Sequence, residues 1–211
     1  MCPIRRAVGV IVRLRIRESV RAHHRTYQEV DLCIMTFSIE LPDRDDPIWT
    51  AANGFVVRSD EGAVRVTGEE RFTIKVTGVQ SKGQLGVMEG IVAPGYSNVP
   101  HAHFGEDEAF LVQSGRFRFV NGNESFEAGA GDFVYIPRGT RHGFKNILDV
   151  PSKMMVFYSP GGMEQFFVDH GMDEHNFDPE EWENRLRTDT ALQQALAGLN
   201  VQMLPGENDY A

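Results

Sequence analysis

The stretch "GYSNVPHAHFGEDEAFLVQSG", residues 95–115, decides how this chain reads. It places His101 and His103 one residue apart. In an extended segment, residues i and i+2 face the same side. Two imidazoles on one face are costly to bury unless something uses their lone pairs. Glu108 follows five residues later at the head of the apolar run "EAFLV", with Glu106 and Asp107 as neighbouring candidates. A second stretch, "GDFVYIPRGTRHGFKN" at 131–146, adds His142 behind the turn formed by Pro137, Arg138, Gly139, Thr140 and Arg141. Three imidazoles and one carboxylate make a mixed nitrogen and oxygen donor set, which suits a divalent first-row metal.

The glycines and the proline around these residues sharpen the signal, because each has a backbone task. Gly95 and Gly115 frame the first block, and Gly131, Pro137, Gly139 and Asn146 mark the second. Gly115 ends one strand at a turn and Gly131 begins another. Pro137 with Gly139 shapes the bend that brings His142 inward.

Around the two blocks the chain reads as short strands: 55–58, 63–67, 71–76, 85–92, 108–113, 116–120, 124–127, 132–136, 142–147 and 153–159. They are rich in Val, Ile, Phe and Tyr, and Gly, Asn, Asp or Pro separates them. "NGN" at 121–123 is a hairpin signal, which makes Asn123 a turn residue rather than a glycan acceptor. Many short, evenly spaced strands predict an all-β sandwich or barrel.

The two blocks match both metal-binding motifs of the cupin superfamily at every fixed position, and the chain resembles that superfamily over about residues 85–160 by motif and about 50–160 by strand pattern. The resemblance implies a small antiparallel jelly-roll β-barrel with a metal in its mouth. It implies His101, His103, Glu108 and His142 as the ligands. It also implies one divalent ion per chain, with iron, manganese, nickel and cobalt all suiting the donor set. Four protein ligands leave two positions of an octahedral ion open, unlike a closed structural zinc site.

More loosely, the chain is similar to bacterial quercetin 2,3-dioxygenase-like proteins. The likeness rests on its single-barrel length, on "SPGGMEQFF" at 159–167 and on "GLNVQML" at 198–204. This implies a metal-dependent dioxygenase that opens a flavonol-like or other enolic aromatic substrate with O2 and releases carbon monoxide. Glu108 would be both ligand and the base that takes the substrate's hydroxyl proton. The competing expectations are an oxygen-independent isomerase, cyclase or decarboxylase using the same ligands, and a non-enzymatic small-molecule-binding cupin.

If Glu108 points inward, Phe110 and Val112 do too; if His142 does, Phe144 and Asn146 follow. With Met88 and one face of 153–159, these residues are the expected substrate pocket: Met88, Phe110, Val112, Phe144, Met154, Val156 and Tyr158. Met155 and Phe157 are the alternative face of the last strand. Such a lining suits an apolar or aromatic ligand. The same residues serve equally as the packed interior of a small barrel. Arg138 and Arg141 are expected near the mouth, either meeting an anionic group or solvated.

After residue 170 the pattern changes. Asp178-Pro179-Glu180-Glu181-Trp182 reads as an N-cap, a proline at the first helical position and acids facing the helix dipole. Residues 190–198 read as a second short helix, and Trp182, Leu186, Leu192, Ala195 and Leu196 are expected to pack on the sheet. The expected organisation is an N-terminal extension at 1–34 without a packed role, a barrel domain at 35–170 and a helical tail at 171–211. Segment 35–54, with Ile39, Leu41, Ile48 and Trp49, is expected to cover a sheet edge or cap the barrel.

Charge divides the chain of 211 residues, whose net charge is −9. The first 34 residues carry seven Arg against three acids, so the remainder holds a balance of −13. An acidic body repels phosphate backbones, which disfavours nucleic-acid partners. Both cysteines, Cys2 and Cys33, lie in the first segment, and nothing downstream needs an oxidising compartment. The apolar run "AVGVIV" is six residues long and cut by Arg13, Arg15 and Arg17, short of the roughly 7–15 that a signal peptide needs. No apolar run approaches the roughly 18 residues of a membrane span. A cytoplasmic location and a homodimer, in which a second copy covers open strand edges, are the corresponding expectations.

Overall fold

In the computed structural model, residues 42–207, 209 and 210 are described. The chain divides into two units, Met1–Phe55 and Val56–Ala211. In the first, the described part holds a single 3-10 turn, Pro47–Thr50, whose N-cap Asp46 accepts from the Ile48 amide at 2.9 Å. Ile48 and Trp49 are exposed there. Residues 1–34, Ile39 and Leu41 lie outside the described residues.

The second unit is two antiparallel sheets. Its strands are β1 (Ala63–Thr67), β2 (Glu70–Val76), β3 (Gly86–Val92), β4 (His101–His103), β5 (Asp107–Ser114), β6 (Arg116–Asn121), β7 (Glu124–Gly129), β8 (Phe133–Ile136), β9 (His142–Asn146), β10 (Ser152–Ser159) and β11 (Val201–Met203). One sheet runs β1-β2-β3-β10-β5-β8 and the other β11-β4-β9-β6-β7. This is the all-β jelly-roll arrangement expected from the strand pattern, built as two sheets facing each other rather than one closed ring.

Period-2 alternation sends one face of each strand into the interior. β10 buries Ser152, Met154, Val156 and Tyr158 and leaves Met155 and Phe157 half-buried, which settles the face left open by sequence. β5 buries Glu108, Phe110 and Val112. From the opposite sheet, Phe117, Phe119 and Phe144 interlock with Phe110, with ring centroids 5.2–6.3 Å apart. Each such side chain contributes about 1.5–3 kcal/mol by leaving water. The register ties the strands of the site together: Glu108 pairs with Tyr158 on β10 and with Ile136 on β8, and His101 pairs with His142 across β4 and β9.

Asn146, fully buried, cross-links the far end of the interior. Its amide donates to the carbonyls of Val92, Ala93 and Val150, and its oxygen accepts from Ser152 and the Leu148 amide. Gly115 is needed beside it. Its φ is +84°, and a Cβ there would meet Ser152 Oγ at 2.0 Å.

Three helices follow the sheets: α1 (Met163–His170), α2 (Pro179–Thr188) and α3 (Thr190–Gly198). Asp178 caps α2 by accepting from the amides of Glu180 and Glu181, as its sequence predicts. Asp189 does the same for α3. Trp182 and Leu192 bury themselves with Met172 in a second apolar cluster that Phe166, Phe177, Leu186 and Leu196 flank. Among the described residues no helix is long and apolar enough to cross a membrane.

Three elements differ from the sequence reading. Residues 55–58 are not a strand; Phe55 and Val56 are exposed, with no sheet partner to pair them. Residues 163–170 form a helix, which the sequence reading does not assign. The tail contains β11 as well as helices, and β11 adds to the edge of the second sheet beside β4.

Candidate metal centre

His101, His103, Glu108 and His142 converge at one end of the interior. One donor atom from each lies within 4.8 Å of all the others. His101 and His103 come from β4, Glu108 from β5 and His142 from β9, so both sheets contribute. His101 Nε2 stands 3.0 Å from His103 Nε2, Glu108 Oε2 stands 2.7 Å from His142 Nε2, and the same oxygen is 3.3 Å from His103 Nε2.

The outward nitrogen of each ring faces an acceptor. His101 Nδ1 meets the Val99 carbonyl at 2.9 Å, and His142 Nδ1 meets the Thr140 carbonyl at 2.9 Å. His103 Nδ1 meets Glu106 Oε1 at 2.7 Å. These acceptors assign the Nδ1 protons and aim the Nε2 atoms at one another, the orientation that metal-ligating histidines adopt. An octahedral ion with bonds of about 2.1 Å sets adjacent donors about 3.0 Å apart. The observed separations of 2.7, 3.0 and 3.3 Å bracket that value. The four residues fit a divalent first-row metal ion.

Electrostatics express the crowding. Burial is the largest influence on His101 and brings its pKa down to about 4. Burial also pulls on His103, but hydrogen bonds to Glu106 and Glu108 outweigh it and raise the group to about 9. Burial would raise Glu108, yet the hydrogen bonds from His103 and His142 hold it well below the carboxylate range. Tyr158 is pushed up by burial and then by its charged, hydrogen-bonded neighbour Glu108.

The three consecutive acids have separate fates. Glu106 accepts from His103, Asp107 pairs with Arg138 at 2.9 Å, and Glu108 joins the centre. Sequence spacing brought Glu106 into view only as a rival ligand. Its place three residues after His103, across the bend at Phe104 and Gly105, is the signal for its actual contact. Arg138 is an exposed turn residue, as one expectation has it, and pairs with Asp107; Arg141 meets neither expectation, because the chain itself engages it. Arg138 also donates to the carbonyls of Gly105 and Ser159, and Arg141 to those of Gly122 and Leu204 and to Asp209.

Of the residues expected to line a pocket, Tyr158 stands nearest the centre, its ring 5.9 Å from that of His103. Phe110 lies beneath His142, with centroids 6.5 Å apart. Met88, Val112, Phe144, Met154 and Val156 are buried in the packed core with them.

Residues 88–158 match the cupin domain family. An uncharacterized protein of Methanocaldococcus jannaschii is 37% identical over 74 residues, which cover 35% of this chain and 59% of that one. Quercetin 2,3-dioxygenase of Bacillus subtilis is 29% identical over 129 residues, 61% of this chain and 36% of that protein. This chain therefore spans under two thirds of either relative. Among solved structures, KdgF from Halomonas sp. is 19% identical with a TM-score of 0.48, over 53% of this chain and 98% of that one.

Proposed function

We propose that this protein, whose residues 88–158 match the cupin domain family, is a metal-dependent dioxygenase acting on a flavonol-like or other enolic aromatic substrate. The observation that carries the reading is the convergence of three histidine nitrogens and one carboxylate within 4.8 Å at the end of an apolar interior. The 129-residue similarity to a quercetin 2,3-dioxygenase supports the choice of chemistry.

His101, His103, Glu108 and His142 would hold the ion, which would supply Lewis acidity and a template for the reacting oxygens. Glu108 is the carboxylate of the group and takes the enolic hydroxyl proton of the substrate. Tyr158, hydrogen-bonded to Glu108, orients that carboxylate. Glu106 and the carbonyls of Val99 and Thr140 hold the three rings in place. The phenylalanine floor under His142 excludes water and favours an aromatic ring over a sugar or a small diacid. In the net reaction both atoms of O2 enter the products and one carbon leaves as carbon monoxide. Action as a cytoplasmic homodimer belongs to the same proposal. Phe133 and Tyr135, exposed on the edge strand β8, support the pairing.

The test is oxygen uptake. Metal-free protein is loaded separately with iron, manganese, nickel and cobalt and given quercetin in an oxygen-electrode cell. The proposal expects uptake with at least one metal, matched by loss of the flavonol absorbance. Loaded protein that consumes no oxygen overturns the dioxygenase reading and directs the search to oxygen-independent isomerisation, cyclisation or decarboxylation.

A further inference from the structure

We propose that the C-terminal segment, residues 200–207, 209 and 210, is a brace that sets the positions of the metal-ligating side chains. It would act on His101 and His103 through β4 and on His142 through Arg141. The proposal rests on the reading of His101, His103, Glu108 and His142 as ligands.

β4 is three residues long and carries two of the four donors. Its ladder with β9 consists of His101↔His142. A strand this short, joined at one position, is marginal by itself. On its other side, all three residues pair with β11: His103 with Val201, Ala102 with Gln202 and His101 with Met203. Two further bonds extend this ladder beyond both ends of β4. The Phe104 amide donates to the Asn200 carbonyl at 2.7 Å, and the Leu204 amide donates to the Pro100 carbonyl at 2.7 Å. The His103 carbonyl also accepts from the Gly139 amide at 2.6 Å, but along β4 as a whole the longer ladder comes from a segment about a hundred residues downstream.

The same segment reaches the third histidine. Arg141 directly precedes His142. Its guanidinium donates to the Leu204 carbonyl at 2.7 Å and to the Gly122 carbonyl at 2.8 Å, and it pairs with Asp209. The Arg141 side chain is 20% exposed and that of Asp209 11%, so water competes weakly for this pair. Beyond it, the Tyr210 hydroxyl donates to the Asn98 carbonyl at 2.8 Å. The Asn98 side chain in turn accepts from the Phe144 amide, two residues past His142. The tail thus bridges β4 and β9 along the edge where their ligands stand.

A brace that places ligands must be coupled to the ion reciprocally: docking of the tail raises ion affinity, and the ion tightens the docking by the same factor. A tail that only adds stability shows no such coupling.

The experiment uses full-length protein, Asp209→Ala, Leu204→Pro, and a chain ending at Leu199. Co(II) alone is the probe, its dissociation constant read by chelator competition. Thermal stability of each metal-free protein and hydrogen exchange at the Phe104 and Leu204 amides are followed in parallel. The brace predicts Co(II) binding weakened about tenfold or more by truncation and several-fold by each point variant. It also predicts slower exchange at both amides in full-length protein when Co(II) is added. Unchanged Co(II) affinity in variants that have lost only thermal stability overturns the brace and leaves the metal centre standing. If the truncated chain does not fold, the two point variants and the exchange measurement decide alone. Failure of full-length protein to bind Co(II) overturns the ligand reading and the brace with it.

Discussion

His103 donates from Nδ1 to Glu106 at 2.7 Å, while His101 and His142 donate to backbone carbonyls. One histidine of three is thus backed by a carboxylate side chain rather than a backbone carbonyl. A carboxylate behind a histidine fixes its tautomer and strengthens it as a donor. Glu106→Gln keeps the shape and removes the charge. It is expected to weaken metal binding about 10- to 100-fold while leaving one site per chain. Chelator competition measures this; wild-type affinity in the variant would show that Glu106 does no more than fill the loop.

Glu108→Gln tests the base. The amide cannot take a proton, so turnover of an enolic substrate is expected to fall about 100-fold or more even where the variant still carries its ion. Oxygen uptake normalised to bound metal is the readout. Full activity per bound ion removes Glu108 from proton transfer.

Glu70 gives the fold a pH dependence. It lies buried on β2, and burial, partly offset by the Tyr96 hydrogen bond and reinforced by the charge on Glu108, raises its pKa from 4.5 to about 8. The folded protein therefore keeps this carboxyl protonated where the unfolded chain ionises it. The stability is complete below pH 4.5 and is lost as pH rises through about 8. At pH 7 the cost is roughly 3 kcal/mol. Glu70→Gln is expected to be more stable than wild type at pH 8 and to lose much of the decline between pH 5 and 8, as urea unfolding at both values would show. Parallel slopes in the two proteins would contradict the assignment.

Two glycines separate backbone strain from crowding. Gly131 has φ +92° with open space around a Cβ, whereas Gly115 has φ +84° and Ser152 in the way. Gly131→Ala is expected to cost about 1–2 kcal/mol from conformation alone. Gly115→Ala should cost about 1–3 kcal/mol more, because Ser152 and its bond to Asn146 must move. Equal losses in chemical denaturation would contradict this difference.

These glycines also show why the core of the fold was legible in sequence. Gly95, Gly115, Gly131 and Gly139 all adopt positive φ, so the spacing between them is a record of where strands turn. The alternation of β5 and β9 marked their inward faces in advance, whereas that of β10 left two faces open. What escaped is explained by weak local signals. α1 begins at Gly162 with no side-chain cap, so "SPGG" reads as a connection. β11 is three residues of a tail otherwise helical, and its partner β4 is about a hundred residues away. The strand expected at 55–58 has the composition of one but no paired strand among the described residues. At the site, period-2 alternation put His101 and His103 on one face, and the motif resemblance implied Glu108 and His142 beside them; the four side chains lie together. The partners of Arg138, Arg141 and Glu106 were not legible, because they depend on which loops meet in space.

The central claim is that His101, His103, Glu108 and His142 hold one divalent ion. The most direct measurement is metal stoichiometry on protein stripped with chelator and reloaded with manganese, iron, cobalt or nickel, compared with His142→Ala treated identically. The account predicts one tightly held ion per chain in wild type and loss of that ion in the variant. Equal metal content in the two proteins, or none in wild type with any of the four metals, would contradict it.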